Sequence, residues 1–90
     1  MLKESQMMFE NIERYFTRKS GYSYKVLIVE NELFDYYSIF FDVRGPFDKS
    51  IMSYPIINFD RDKRLYDSIL HDLKARYKFS IEYRLHESAK

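Results

Sequence analysis

Two stretches of this chain, Val26-Leu27-Ile28-Val29 and the run from Leu33 to Val43 that contains YYSIFF, are apolar at successive positions rather than at alternate ones. A strand turns its side chains to its two faces in alternation, so an apolar run without alternation is the mark of a strand inside a sheet. Only Asn31-Glu32 separates the runs. Asparagine tolerates positive φ, and this predicts a hairpin closed by a two-residue turn, without the glycine that usually takes the second position. Strands of this kind need cover, and the remaining sequence limits how much cover the chain can supply.

Before the hairpin, Met8, Phe9, Ile12, Tyr15, Phe16 and Lys19 recur at three- and four-residue steps, which predicts a helix over roughly Leu2 to Lys19 with Gly21 as its left-handed stop. The first strand then covers Tyr22 to Glu30. Arg44-Gly45-Pro46-Phe47-Asp48 gathers chain breakers and reads as a loop. Ile51 to Ile57 reads as a third strand, restricted to an edge or a bulge because Pro55 has no amide hydrogen. Asp60 is placed to cap a second helix over roughly Arg61 to Arg76, whose stripe is Leu65, Tyr66, Ile69, Leu70 and Leu73. Tyr77, Phe79, Ile81, Tyr83 and Leu85 alternate with polar residues, the pattern of a strand with one dry face and one wet face. The order is α-β-β-β-α-β in one domain over residues 1–90. The fold class is α+β: a mainly antiparallel four-stranded sheet in a two-layer domain. Two helices cannot cover both sides of such a sheet, so both are expected on one face with the other left open.

Composition narrows the function. Aromatic residues make up 19% of the 90 residues, all Tyr or Phe, and supply the large apolar area that a small core needs. Net charge is +1, which gives no general pull toward phosphate. With no cysteine there is no disulfide, thiolate metal site or thiol nucleophile, and a reducing compartment is expected. The opening Met1-Leu2-Lys3-Glu4-Ser5 lacks the apolar centre of a signal peptide, and no uncharged run is long enough to span a bilayer. A cytoplasmic protein without membrane partners is expected.

If Asn31-Glu32 is the whole turn, Val29 faces Phe34, Leu27 faces Tyr36, Lys25 faces Ser38 and Ser23 faces Phe40, while Tyr22/Phe41, Tyr24/Ile39 and Val26/Tyr37 share the more apolar side that meets the helices. The outward face then carries Lys25, Leu27, Phe34, Tyr36 and Phe40, and Arg84 joins it from the last strand. An aromatic patch with a polar rim is the composition of a protein-binding surface. Gly45-Pro46 bends the chain so that Arg44 and Phe47 either project as anchors or, for Phe47, fold back to plug the end of the core. A one-residue slip of register would exchange the two faces.

The sequence carries no recognisable catalytic or metal-binding motif. His71 and His86 have no second imidazole or suitably spaced carboxylate on their own elements, and Asp60 and Asp62 are accounted for by the helix start that follows them. There is no phosphate-binding glycine loop, nucleophile elbow or paired-acid signature, so no enzyme, metal or cofactor is expected. Arg61, Lys63, Arg64, Lys74 and Lys78 form the densest basic region and carry the alternative reading, nucleic-acid binding at the start of the second helix. The α-β-β-β-α order occurs also in the double-stranded-RNA-binding domain, but the basic, alanine-rich opening of that family's second helix is absent, since Asp62, Leu65 and Tyr66 interrupt it. Nor does YYSIFFDV have the basic-glycine-aromatic spacing that places rings under unstacked bases.

The expectation is therefore a non-enzymatic protein-binding module, a small stoichiometric inhibitor or adaptor that occludes a partner's working surface with an aromatic sheet face. Inhibitors carried by phages and mobile elements, including those that block host defence nucleases, are one class of such chains. The partner is another protein. A homodimer is a third reading, because an exposed apolar sheet face is self-complementary under two-fold symmetry.

Overall fold

The computed structural model describes residues 2–86. It consists of α1 (Lys3–Tyr15), β1 (Ser23–Asn31), β2 (Tyr36–Arg44), β3 (Met52–Asp60), α2 (Lys63–Arg76) and β4 (Ser80–His86). The sheet order is β3-β2-β1-β4. β1 and β2 pair antiparallel, β2 and β3 pair antiparallel, and β4 runs parallel to β1. The two doubly apolar runs thus occupy the centre of the sheet.

Both helices lie on one side. Met8, Phe9 and Ile12 of α1 and Ile69 and Leu73 of α2 pack with Val26 and Ile28 of β1, Tyr37, Ile39, Phe41 and Val43 of β2, and Ile57 and Phe59 of β3. Along the shortest axis the Cα atoms extend 17 Å, against 37 Å on the other two, the depth of one sheet and one helix layer about 10 Å apart. An aromatic cluster at one end ties the layers together: Phe16 meets Tyr24, Phe41, Tyr77 and Phe79 edge-on, and Tyr24 stacks on Phe41 at 5.5 Å between centroids.

The ends of α1, β3, α2 and β4 differ from the sequence expectation, β3 running from Met52 to Asp60 instead of Ile51 to Ile57. α1 ends at Tyr15, a turn early, because Phe16 leaves the helical conformation (φ −85°, ψ 85°) to enter that aromatic cluster. Gly21 still takes positive φ (+85°), now in the turn that enters β1, where a Cβ would lie 3.0 Å from Pro46 Cβ. α2 is capped by Asp62, not Asp60: the Asp62 side chain accepts from the Arg64 and Leu65 amides, while Asp60 ends β3. β4 begins at Ser80, and the apolar side of its alternating pattern is dry only at its start, since Tyr83 is 48% and Leu85 41% exposed. Pro55 sits on an edge strand beside a register irregularity, as its missing amide hydrogen requires.

The hairpin corrects the predicted register. Its turn is Glu32-Leu33-Phe34-Asp35, because Asn31 Oδ1 accepts from the Phe34 amide at 2.9 Å and Asp35 adopts positive φ (61°). Asn31 therefore faces Tyr36, Val29 faces Ser38, Leu27 faces Phe40 and Lys25 faces Asp42. Tyr36 moves from Leu27 to Asn31, a shift of an even number of residues, so the residues within β1 and β2 keep their faces although they change partners, while Phe34 passes from the strand into the turn.

Candidate protein-binding face

The side of the sheet away from the helices is built from alternate residues of all four strands. Its central row is Glu82, Leu27, Phe40 and Pro55, one from each strand in spatial order. The next row is Arg84, Val29, Ser38 and Asn58, and the row beyond it is His86, Asn31, Tyr36 and Asp60. Leu27, Val29, Tyr36 and Phe40 are half-buried, as expected for side chains standing on an uncovered sheet and shielded only by one another.

On the other side of the apolar row lies a polar one. Lys25 Nζ donates to Glu82 Oε1 at 2.9 Å and stands 4.0 Å from Asp42 Oδ2, and Asp42 Oδ1 accepts from Ser53 Oγ at 2.5 Å. Arg84 Nε completes the chain by donating to Glu82 Oε2. Alternating charge thus runs from β4 through β1 to β2, where Asp42 meets the neutral Ser53 hydroxyl of β3. The two cations hold the Glu82 carboxyl below the usual carboxylate range, Lys25 having the larger effect. Asp42 is only 7% exposed despite lying on the uncovered side. A cleft of about 220 Å³ opens beside it, lined by Lys25, Arg44, Ser23, Ser80 and Ile51 among others.

Lys25, Leu27, Tyr36, Phe40 and Arg84 therefore share one surface, and Arg44 stands at its end, where its Nε reaches the Asp48 carbonyl at 3.4 Å. Phe34 and Phe47 do not join it. Phe34 lies in the β1–β2 turn, 70% exposed, and Phe47 in the β2–β3 loop, 95% exposed. The nine residues of β2 between them span ~30 Å. Phe47 does not plug the core; the loop instead packs Pro46 against Gly21. Pro55 and Asp42 belong to the surface and were not among the predicted site residues, and Glu82, on the wet side of the last strand, belongs to it as well. The sequence signal for Asp42 was its spacing from Ser38 and Phe40, which puts all three on one side of β2.

The basic region is already engaged in part. Arg61 Nε donates to Glu30 Oε2 at 2.6 Å and its Nη1 to Asp35 Oδ1 at 3.0 Å, so this guanidinium closes the hairpin end. Glu30 also accepts from the Tyr83 hydroxyl; that bond, more than Arg61, holds Glu30 low, and together with burial it pushes Tyr83 up to about 12. Lys63 pairs with Asp67 at 3.2 Å. Arg64, Lys74 and Lys78 are exposed without an ion pair among the described residues. At the start of α2 the Asp62 carboxylate occupies the amides that a phosphate would use.

Among the described residues, Ser5, Asp72 and His71 form a polar cluster whose order differs from that of an activated serine. Ser5 Oγ donates to Asp72 Oδ2 at 2.6 Å, and His71 Nδ1 lies 3.7 Å from Asp72 Oδ1. The carboxylate stands between serine and imidazole, whereas activation of a serine needs the imidazole in the middle. Among the described residues no group of three or more His, Asp or Glu side chains is placed to hold a metal, and no helix is long and apolar enough to cross a membrane. Comparison of the chain with protein-family models, curated proteins and solved structures finds no match.

Proposed function

We propose that this chain is a non-enzymatic protein-binding module, a small stoichiometric inhibitor or adaptor of the kind that phages and mobile elements carry against host defence nucleases. It acts by laying its uncovered sheet face on another protein and occluding that partner's working surface. The observation that carries this reading is the position of Leu27, Val29, Tyr36, Phe40 and Pro55 in adjoining rows with no layer over them among the described residues, flanked by the Arg84-Glu82-Lys25-Asp42 chain of charge. Leu27 and Phe40 supply the apolar centre, Tyr36 adds a ring at its border, and the charges set orientation and on-rate.

Capture of a partner from the native cell with nuclease added tests the reading. The wild-type chain retains a protein partner, and Tyr36→Ala/Phe40→Ala loses it while keeping a cooperative melt. Retention by the folded double variant would defeat the reading. So would a capture that disappears with nuclease or falls steeply and linearly in log salt, the behaviour of phosphate contacts.

A further inference from the structure

The two edges of the sheet are unlike. Along β3, Pro55 offers no amide hydrogen, the register slips at Ile39/Phe40, and Asn11 Nδ2 occupies the Ile56 carbonyl at 2.8 Å. Each of these blunts an edge against a further strand. β4 has none of them. Its seven residues, SIEYRLH, contain neither proline nor glycine and pair with β1 without interruption from Ser80 to His86. Among the described residues no strand lies beyond it in the sheet. Tyr83 and Leu85, on the helix side, are 48% and 41% exposed, although their neighbours in the same alternating series are packed against the core.

An edge strand can pair with its own copy antiparallel only about a two-fold axis normal to the sheet, which keeps both helix layers on the same side and brings like faces together. The axis must then pass through a residue, and the charges of β4 choose which. An axis through Glu82 sets that carboxylate against itself, and one through Arg84 does the same with the guanidinium. An axis through Ile81 would bring Arg84 opposite Lys78 of the partner subunit. An axis through Tyr83 places Glu82 opposite Arg84 of the partner subunit and Arg84 opposite the partner's Glu82, with Ile81 opposite the partner's Leu85. Tyr83 is also the middle residue of the strand, so all seven residues find a partner.

We infer that β4 is a self-association edge, which joins two copies of this chain through antiparallel β4–β4 pairing centred on Tyr83 into one eight-stranded sheet. The chain of contacts Asp42-Lys25-Glu82 is continued by the partner's Arg84, so the alternation of charge on one sheet runs on into the next. Both uncovered faces then lie side by side on one surface. This inference stands apart from the binding role proposed for that face, because it concerns the purified chain alone.

Sedimentation velocity across a wide concentration range tests it with wild type, Glu82→Arg, Arg84→Glu and an equimolar mixture of the two variants, each first shown to melt cooperatively. Wild type shifts to twice the monomer mass. Either single variant sets like charges opposite each other twice and moves the midpoint of association upward by roughly tenfold or more. The mixture recovers association, because a Glu82→Arg chain offers two cations to the two carboxylates of an Arg84→Glu chain. A wild type that stays monomeric throughout overturns the inference. So does a dimer indifferent to both reversals, or folded single variants whose mixture fails to associate.

Discussion

The Tyr77 hydroxyl donates to Glu13 Oε2 at 2.5 Å, joining the last turn of α1 to the residue that follows α2. Arg18 grips the same carboxylate with both terminal nitrogens, at 2.8 and 2.9 Å, and lays its guanidinium 4.0 Å over the Phe16 ring. Arg18 first and Tyr77 second lower the Glu13 carboxyl to about 2 from 4.5. Burial first, then the bond to Glu13, raises Tyr77 to about 12 from 10.0.

Linkage turns these shifts into a stability profile with two limbs. A depressed carboxyl stabilises the fold fully above its unfolded value and loses that contribution as pH falls from 4.5 toward about 2. A raised phenol stabilises fully below its unfolded value and loses that contribution as pH rises from 10.0 through about 12. Glu13→Gln should flatten the acid limb and Tyr77→Phe the alkaline one in denaturant midpoints measured against pH. Neither should abolish its limb, because Glu30 and Glu82 are also held low and Tyr83 is also held high.

Neighbouring residues of β2 should respond differently to the same truncation. Phe41 is fully buried against the Phe16, Tyr24 and Phe79 rings, and Phe41→Ala should cost ~3–5 kcal/mol by urea unfolding. Phe40 stands on the uncovered side, and Phe40→Ala should cost about 1–2 kcal/mol and leave the transition cooperative. Equal losses at the two sites would mean that the face assigned to binding is part of the core.

Asp62→Ala should remove ~1 kcal/mol, because the Arg64 and Leu65 amides lose their acceptor. Asp60→Ala, at the end of β3, should change the melting temperature far less. The reverse order would return the cap to the earlier aspartate.

Arg61→Ala should lower the melting temperature at low salt, less so as salt rises, since Arg61 joins Glu30 and Asp35 across the hairpin end. It should leave retention on immobilised nucleic acid unchanged. A loss of retention accompanied by a shallower salt slope would restore the basic region as a phosphate contact.

The order of elements, the single helix layer and the division of β1 and β2 residues between the two faces were all present in the sequence, because side-chain periodicity is a property of the local backbone. Asn31 and Pro55 also announced their roles locally, one by tolerating a turn and the other by lacking a donor. Tertiary structure decided what depends on atoms distant along the chain. Phe16 left its helical period because four rings from β1, β2 and the α2–β4 connection surround its site. The hairpin took a turn twice the expected length when the Asn31 side chain claimed the Phe34 amide, and this moved Phe34 off the face and brought Asp42 opposite Lys25. The parallel seat of β4 beside β1 lies beyond periodicity altogether, and it carried Glu82 and Arg84 to the uncovered side and left Tyr83 at a free edge. A strand's pattern says which residues share a side; only the packed sheet says which strand lies next to it, and which edge is left over.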